Sequence, residues 1–336
     1  MKICFVDHAP DLNSGSYRIW INDLCTSLNE NGESAKIIKP TRDAGSVSEK
    51  IVIFSKNSWK LAPIFKKNFP NKLVGAINIP ADSHEKEIDF VIVGSNEERL
   101  SLAHYENVFI YPLIERKFMG IQRKIHENKD ALKVCFHGHH PHLYKFFPHL
   151  KRALERVNRE VKKTELHVVT GDQSFVSKWG ADTGRPDIDV FSHPYSSISE
   201  VISKSDIGIV PNISDVNSVL PLFRKEFLNN DIGLYNTDYV IRFKNKTNPG
   251  RAFVFYQHGV PVVHDISPSS FEMMALTDRY IVAHEEESWF REIKDLAEKP
   301  EKRQEISDIY RKTFDSFYDP NKWAKKLCMQ ISEITK

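Results

Sequence analysis

The chain has 336 residues, a length that suits two domains of roughly 150 residues each. Its 47 Lys and Arg residues nearly balance its 45 Asp and Glu residues, which argues against a dedicated nucleic-acid-binding protein, because such proteins carry a basic excess. Apolar residues make up 40% of the chain and aromatic residues 11%. These fractions are enough to form substantial cores, so a globally disordered chain is excluded.

The sequence also argues against a membrane-spanning or secreted protein. The longest unbroken apolar run, residues 252–256, is far shorter than the ~20 residues that a spanning helix needs. Near the N-terminus the acid Asp7 interrupts the chain before the apolar core of a signal peptide forms. The cysteines lie far apart without CxxC spacing: Cys4, Cys25, Cys135 and Cys328. This pattern predicts reduced core thiols in a cytoplasmic protein.

Short apolar runs alternate along the chain with longer segments of helical periodicity. Strands are predicted at 2–6, 51–54, 73–79, 90–93 and 108–111, and a helix at 17–31. A polar segment over 116–130 is interpreted as a linker. After it, strands are predicted at 133–136, 166–170, 188–191, 207–210 and 260–263, and helices at 146–162, 197–204, 288–297 and 320–334. Residues 214–245 lack this pattern and suit an insertion.

This alternation is typical of parallel sheets covered by helices. The predicted fold class is therefore α/β, with two Rossmann-like, doubly wound domains in tandem. In such sheets ligands bind beyond the carboxyl ends of the strands. The site is expected in a central cleft that both domains face.

The loop after the first strand, DHAPDLNSGSYRIW, is the first candidate for ligand binding. Gly15 and Ser16 precede a helix whose free backbone N–H groups favour an anion. The loop matches neither GxGxxG nor GxxxxGK[ST]. The alternative is an ordinary strand-to-helix turn in which Ser14 or Ser16 caps the helix.

The segment KTNPGRAFVFYQHGVPVVHD concentrates several anion-binding features. Asn248 can cap a helix, Pro249 suits the first helical position, and Gly250 leaves that turn open to close approach. Arg251 projects a permanently charged fork from the turn, and Lys246 lies just upstream. A diphosphate would meet helix N–H groups and cations here. The alternative is a basic helix start on the surface.

The order of segments resembles the GT-B glycosyltransferases, most closely the large retaining family that uses nucleotide-activated sugars. The matching segments cover nearly the whole chain: DFVIVGSNEERLSL, ENVFIYPLIERKF, KVCFHGHHPHLYKF, LHVVTG, DVFSHPYSSISEVISKSDIGIVPN, NPGRAFVFYQHGVPVV and FYDPNKWAKKL. The last of these resembles the family's final helix, which crosses back to the first domain. The resemblance implies an acceptor domain over 1–125, with the helix 320–336 packed on it, and a donor domain over 126–319.

The resemblance also assigns donor-binding positions. Gly15 and Ser16 would face the donor diphosphate from the first domain, and Lys145, downstream of Gly138, matches the family's clamp lysine. Nucleobase recognition falls on 193–195. The implied donor-binding set is Gly15, Ser16, Gly138, His139, Lys145, His193, Tyr195, Asn248, Pro249 and Gly250.

One departure from the family concerns its paired glutamates. Alignment on Gly259 puts Thr247 and Val254 in their places. Since the second glutamate normally holds the ribose, Arg251 and Lys246 are expected to carry more of the donor contact, through the phosphates. The stereochemistry of transfer stays open.

The segment HGHHPH packs four histidines into six residues: His137, His139, His140 and His142. Histidine is a common metal ligand, so a metal site is one alternative. No nearby cysteine or paired carboxylate completes a ligand set. The loop is therefore expected to hydrogen-bond the donor phosphate or sugar, and neither a metal nor another cofactor is expected.

Asp82, which follows the apolar segment AINIP, is the candidate for acid–base chemistry. An inverting transfer needs a carboxylate or imidazole to take the acceptor proton. A retaining transfer can rely on cations and helix dipoles that stabilise the diphosphate. Asp7, His8 and His84 also follow first-domain strands. The alternative for each is a polar residue in a local turn.

Residues 56–72 contain five lysines, no acid, and the aromatic residues Trp59, Phe65 and Phe69. Basic and aromatic character together suits the surface of an anionic membrane. A peripheral position at the inner face of the membrane would fit a lipid-linked acceptor. The alternative is a solvated helix face with its apolar side in the core.

Together these features predict a metal-independent glycosyltransferase of cell-surface polysaccharide assembly. It would move a sugar from a nucleotide-sugar donor, UDP- or GDP-linked, to a hydroxyl of a glycan or lipid-linked acceptor. Arg251 and Lys246 are the expected catalytic cations, with Asp82 as the acid–base group. Two alternatives stay open: a nucleotide-sugar epimerase of the same fold, and a non-catalytic nucleotide- or sugar-binding protein. No nucleic-acid partner is expected.

Overall fold

The computed structural model describes residues 1–12, 14–40, 47–172, 174, 187–212, 248–265 and 267–335, with the backbone alone at 141, 144–148, 268 and 269. Contacts divide the chain into two compact units. The first comprises Met1–Met119, Asn248–Gly250 and Asp315–Lys336, and the second comprises Gly120–Thr247 and Arg251–Phe314. The sequence placed the corresponding boundaries about five residues later, after residues 125 and 319.

Each unit contains one six-stranded, fully parallel sheet. The first sheet has the order β2-β1-β3-β4-β5-β6. Its strands are β1 (Lys2–Val6), β2 (Ser34–Ile38), β3 (Ile51–Phe54), β4 (Leu73–Ile77), β5 (Phe90–Val93) and β6 (Val108–Ile110). The second sheet has the order β12-β11-β10-β7-β8-β9. Its strands are β7 (Leu132–His137), β8 (Thr164–Val169), β9 (Asp189–His193), β10 (Ile207–Val210), β11 (Val262–Asp265) and β12 (Val282–Ala283). The predicted α/β class is confirmed.

Helices lie between many of the consecutive strands, as is common for parallel pairing, and three more follow the last strand. They are α1 (Gly15–Tyr17), α2 (Leu24–Glu30), α3 (Ala62–Asn68), α4 (Asn96–Ser101), α5 (Pro141–Glu160), α6 (Ile198–Lys204), α7 (Gly250–Gln257), α8 (Pro268–Thr277), α9 (Glu286–Glu298), α10 (Pro300–Phe317) and α11 (Pro320–Glu333). A π-helical stretch, Arg18–Asp23, joins α1 to α2. Within the described part of the chain, no helix is both long enough and apolar enough to cross a bilayer.

Alternating side chains of the first sheet supply two separate cores. Ile3 and Ile51 pack into one core with α2, while Cys4 and Val52 pack into the other with α3. Because neighbouring residues of a strand point to opposite faces, helices on both sides bury nearly every residue of the central strands. All four cysteines are free and buried, as the sequence predicts.

The helix α11 completes the first of these cores. Asp319 caps it by accepting a hydrogen bond from the backbone N–H of Lys322 at 2.8 Å, and Pro320 occupies its first turn. Its buried residues follow a helical spacing: Ala324, Leu327, Cys328 and Ile331. This stripe packs against α2, so the end of the chain belongs to the first unit.

The segment 116–130, predicted as a linker, contains the boundary between the two units, and some of its residues are buried in the second unit. His126 is buried, and its Nε2 donates a hydrogen bond to the carbonyl of Gly259 at 2.9 Å. Lys124 forms an ion pair with the buried Asp206, with 3.6 Å between Nζ and Oδ1. Most of the other residues of this segment are exposed, which agrees with its polar composition.

Candidate functional site

Three adjacent strands of the second sheet end at one edge, and polar residues follow each of them. His137 ends β7 and is followed by Gly138. Asn212 comes shortly after β10, and Asp265 ends β11. Carboxyl ends of parallel strands are the usual place for a ligand in a doubly wound sheet. This edge is therefore the candidate site.

Arg251, in the first turn of α7, reaches over this edge. Its Nη1 donates to the carbonyl oxygen of Pro211 at 2.8 Å, and its Nη2 donates to Oδ1 of Asn212 and to Nδ1 of His142, the latter at 3.5 Å. Burial lowers the pKa of Arg251 to about 10, partly offset by the negative charge of Asp265. The guanidinium therefore stays charged at neutral pH, in a fixed orientation. The sequence predicted a guanidinium that projects from the turn, whereas in the structure Pro211 and Asn212, in the loop after β10, hold this guanidinium by hydrogen bonds.

Gly138 makes room for the arginine. Its φ is +123°, a backbone conformation that glycine adopts readily and L side chains rarely do. An ideal Cβ there would lie 2.8 Å from Cδ of Arg251. The preceding residue fixes the same turn, because Nε2 of His137 donates to the backbone carbonyl of Arg251 at 2.8 Å. The end of β7 thus anchors the beginning of α7.

Asp265 is the fully buried negative group of the site. Its Oδ2 accepts a hydrogen bond from the backbone N–H of Asn212 at 3.0 Å, and its Oδ1 lies 3.2 Å from Nδ1 of His284. The side-chain amide of Asn212 in turn donates to Ser267 at 3.3 Å. Asn212 therefore connects the buried carboxylate to Arg251. Neither Asn212 nor Asp265 was singled out from the sequence, although both lie at or just after predicted strands.

Two histidines near Arg251 have lowered pKa values. Burial, together with the charge of Arg251 and the neighbouring imidazole, lowers the pKa of His142 to about 2, so this imidazole is neutral. Partial burial, together with the charges of His140 and Arg251, also lowers the pKa of His139. Neutral imidazoles can donate or accept hydrogen bonds beside a bound phosphate without adding charge. No group of three or more His, Cys, Asp or Glu side chains in the described residues is arranged to hold a metal ion.

His193 and Tyr195 lie at the far edge of the same sheet. The sequence placed His193 in a loop, but it is the last residue of β9, because the strand extends two residues further than predicted. Its Nε2 lies 3.0 Å from Nδ1 of His167, whose Nε2 is 3.2 Å from Oε2 of Glu165. Burial lowers the pKa of both imidazoles. Tyr195 begins a short 3-10 turn and is 41% exposed.

The residues before α7 make their contacts within the first unit. Oδ1 of Asn248 accepts from the backbone N–H of Gly250 at 3.3 Å, and its Nδ2 donates to Oε1 of Glu98 at 3.3 Å. Burial raises the pKa of Glu98 to about 7. Pro249 precedes the first helical residue, Gly250, rather than occupying the first helical position. A Cβ on Gly250 would lie 3.0 Å from Cβ of Leu113, so glycine permits a close approach there.

Two predicted cations, Lys246 and the side chain of Lys145, lie outside the described residues. The backbone of Lys145 belongs to α5. Thr247 also lies outside the described residues. Val254, which stands where the family has its second glutamate, is buried in α7. That position therefore contributes to packing in this chain.

The loop after β1 presents a cation that the sequence analysis missed. Gly15 begins α1, and the hydroxyl of Ser16 lies 3.0 Å from that of Ser14. One turn further, Arg18 forms a bidentate pair with Glu115, at 2.8 Å from Nε and 2.5 Å from Nη2. The pair fixes the orientation of the guanidinium just after the predicted anion-binding turn.

Asp82 is exposed and follows β4. Of the other residues that follow first-sheet strands, Asp7 is buried and accepts a hydrogen bond from the backbone N–H of Ala9 at 2.8 Å. His8 pairs through Nδ1 with the hydroxyl of Ser58 at 2.9 Å. Asp7 therefore has a role in a local turn, His8 links the loop after β1 to the segment after β3, and Asp82 stays a prediction.

The sequence matches no protein-family model and no curated protein. Solved structures do match. A glycosyltransferase from Rickettsia africae superposes with a TM-score of 0.66 at 12% identity, covering 100% of this chain and 98% of that one. Anabaena Alr3699/HepE, in complex with UDP and glucose, gives 0.58 at 11% identity, with 99% and 100% coverage. The fold is GT-B. A TarM mutant from S. aureus, in complex with Fondaparinux, alpha-GlcNAc-glycerol and UDP, gives 0.52 at 13% identity, and the chain spans 55% of its length.

Proposed function

We propose that this chain is a glycosyltransferase that moves a sugar from a nucleoside-diphosphate sugar to a hydroxyl group of a glycan or lipid-linked acceptor. The arrangement of Arg251 carries the proposal. Its guanidinium is charged, oriented by Pro211 and Asn212, and located at the carboxyl edge of a parallel sheet. Such an edge in a GT-B fold suits the diphosphate of a donor.

In sugar transfer, the main requirement is to stabilise the leaving diphosphate. Negative charge grows on the phosphate oxygens as the bond to the sugar breaks, and a preorganised cation stabilises it without reorganising. Arg251 meets this requirement because its hydrogen bonds are already made within the protein. Lys246 and Lys145 are proposed to add charge to the same phosphates.

The donor is proposed to be UDP- or GDP-linked. Two of the similar structures were solved with UDP, and this supports a nucleotide donor for the present chain. Transfer is proposed to be metal-independent, with cations of the protein in the place of a divalent ion. Asp82 is proposed as the acid–base residue, and Gly15 and Ser16 as contacts to the donor.

Contact with a membrane is proposed for the segment around α3, which would bring the enzyme to a lipid-linked acceptor of polysaccharide assembly. Trp59 is half-buried and Phe65 is buried, so the aromatic residues pack inward. The exposed apolar side chains are instead Leu61 at 40% and Ile64 at 60%. Lys56, Lys60 and Lys67 are exposed in the same segment. Flotation with vesicles of anionic lipid, against vesicles of neutral lipid, tests this contact, and equal recovery with both would contradict it.

A thermal-shift screen with UDP, GDP, CMP and ADP, with and without EDTA, tests the donor site. The expected result is a rise in Tm with UDP or GDP that persists in EDTA, because ligand binding to the native state stabilises it. Incubation with the corresponding nucleotide sugar then separates the alternatives. Transfer that requires an acceptor supports the proposal, conversion of the donor alone indicates an epimerase, and binding without turnover indicates a binding protein.

A further inference from the structure

The first unit contains a cavity of about 460 Å³ at the amino-terminal edge of its sheet. Its lining includes Leu73, which begins β4, Asp89, which precedes β5, and Asn107, which precedes β6. The cavity thus lies at the opposite ends of the strands from the loops considered for the donor. Its volume falls within the range of about 300–1,000 Å³ that is typical of small-molecule sites.

The rings of His84, His104 and Tyr105 pack against one another as an aromatic cluster in the wall of the cavity. The centroids of His84 and His104 are 4.4 Å apart, those of His104 and Tyr105 are 4.7 Å apart, and each pair of planes is tilted by 44°. Both imidazoles are exposed. An exposed imidazole in such a cluster offers a partly polar ring face on which a ligand with an apolar face can stack.

Hydrogen bonds hold the aromatic cluster in place. The hydroxyl of Tyr105 accepts from the backbone N–H of Glu85 at 3.0 Å and donates to the hydroxyl of Ser83 at 3.2 Å. Nε2 of His104 donates to the carbonyl of Ser83 at 2.6 Å. The rings and the loop that faces them are therefore preorganised, which reduces the entropy cost of binding a ligand.

Carboxylates at the cavity are available to a ligand. Among the residues that the structure describes, the carboxylates of Glu85 and Glu106 make neither a hydrogen bond nor an ion pair. Asp89, in contrast, is engaged by Lys66 at 2.8 Å and by the backbone N–H of Val74 at 2.7 Å. An ionised carboxylate offers only acceptors, so the matching ligand presents several donors.

These features select one class of ligand. Lys86 also lines the cavity, but the carboxylates of the lining outnumber this one cation, so an anion is disfavoured. A purely apolar ligand is disfavoured by the polar lining. A neutral polyhydroxylated ring has an apolar face to stack on the imidazoles and paired hydroxyls to donate to Glu85 and Glu106. We infer that this cavity is a saccharide-binding site of the first unit, distinct from the donor site.

The inference goes beyond the proposed function, with which it shares only the class of molecule. A glycan bound here would keep a polymeric acceptor attached to the protein between transfers. Binding at the cavity is measurable without a donor and without turnover. The saccharide-binding site can therefore be tested independently of the proposed transferase activity.

Saturation-transfer NMR and calorimetry with maltotetraose, cellotetraose and chitotetraose test the site. At least one of these is expected to bind, and His104→Ala and Glu106→Gln are each expected to weaken it about tenfold. Both residues are exposed, so the variants should fold, which circular dichroism verifies. Glu87→Gln is the matched control, because Glu87 lies in the same loop but pairs with Lys67 at 3.2 Å. Its affinity should match wild type.

Two results would overturn the inference. One is the absence of binding by all three tetrasaccharides, and the other is binding that both cavity variants leave unchanged. Binding of spermine in place of the saccharides, lost in Glu106→Gln, would also overturn it and identify a cation site. The UDP thermal shift is recorded on the same samples. If UDP does not raise the Tm of the wild-type protein, that result counts against the donor site alone.

Discussion

Gly138 and Arg251 fit together because residue 138 has no side chain. An ideal Cβ at this position would lie 2.8 Å from Cδ of Arg251, closer than real carbon contacts allow. The backbone at Gly138 has a φ of +123°, so an L side chain would also strain the chain. The end of one strand therefore determines where the guanidinium of a distant helix can lie.

Gly138→Ala is expected to displace Arg251 and to destabilise the fold by about 1–3 kcal/mol. Urea unfolding measures the loss of stability, and the UDP thermal shift reports the displacement of Arg251. Gly120→Ala is the control, because Gly120 has a φ of +72° but no atom within 4 Å of its ideal Cβ. It should lose stability through backbone strain and keep its UDP response. A Gly138→Ala protein with an unchanged UDP response would show that the contact does not position the arginine.

Arg251→Ala is expected to reduce the rate of transfer by about 10²-fold or more, the usual cost of removing a preorganised group from a developing oxyanion. The variant should also lose some stability, since Pro211 and Asn212 lose a donor. Arg251→Lys keeps the charge without the planar fork and should fall in between. Steady-state kinetics with the donor named by the nucleotide screen provide the measurement. Arg291→Ala, at an exposed site of the same unit, should behave as wild type.

Asp265→Asn removes the buried charge while keeping the volume of the side chain. Asp265 favours the charged form of Arg251, so its loss leaves a partly buried cation less well compensated. We expect a lower urea midpoint and weaker UDP binding. Asp278→Asn is the matched control, because Asp278 is exposed and has a left-handed φ of 50° that asparagine also tolerates. Equal stability of the two variants would contradict a role for the buried charge.

The buried His126 should make stability depend on pH. Burial lowers its pKa to about 4, from an ordinary value of 6.5. The unfolded chain therefore binds more protons than the native state between about pH 4 and 6.5, so this contribution is complete above pH 6.5 and is lost as the pH falls. In His126→Gln the loss of stability from pH 8 to pH 5, measured by urea unfolding, should be smaller than in wild type. His149→Gln, at an exposed position, should show the wild-type dependence.

Much of the fold could be predicted from the sequence because buried parallel strands are short, nearly continuous apolar runs. The predictions for β1, β3, β5 and β10 match the structure residue for residue. Strand β2 was missed because it is half-exposed and mixes Lys36 with its isoleucines, and β12 because it has only two residues. The helix predicted at 146 begins at Pro141, because the histidines before it were assigned to a loop.

The candidate site was predictable only in part. The sequence pattern around Gly138 and the one around Arg251 each predicted a functional turn, independently of the other. Their contact depends on which strands are neighbours, and no local pattern encodes that. For Asn212 and Asp265 the sequence offers only a weak indication, namely their positions at the ends of strands. The hydrogen bond between them again depends on the order of strands in the sheet.

The position of α11 has a consequence for synthesis. Its apolar stripe fills a core whose other members, including Leu24 and Leu28, lie near the beginning of the chain. A ribosome releases the residues of the second unit before those of this helix. The second unit can therefore fold while the first still exposes an unfilled apolar face, against the usual order in which N-terminal domains are completed first. During translation, Leu24 and Leu28 therefore emerge well before the helix that covers them.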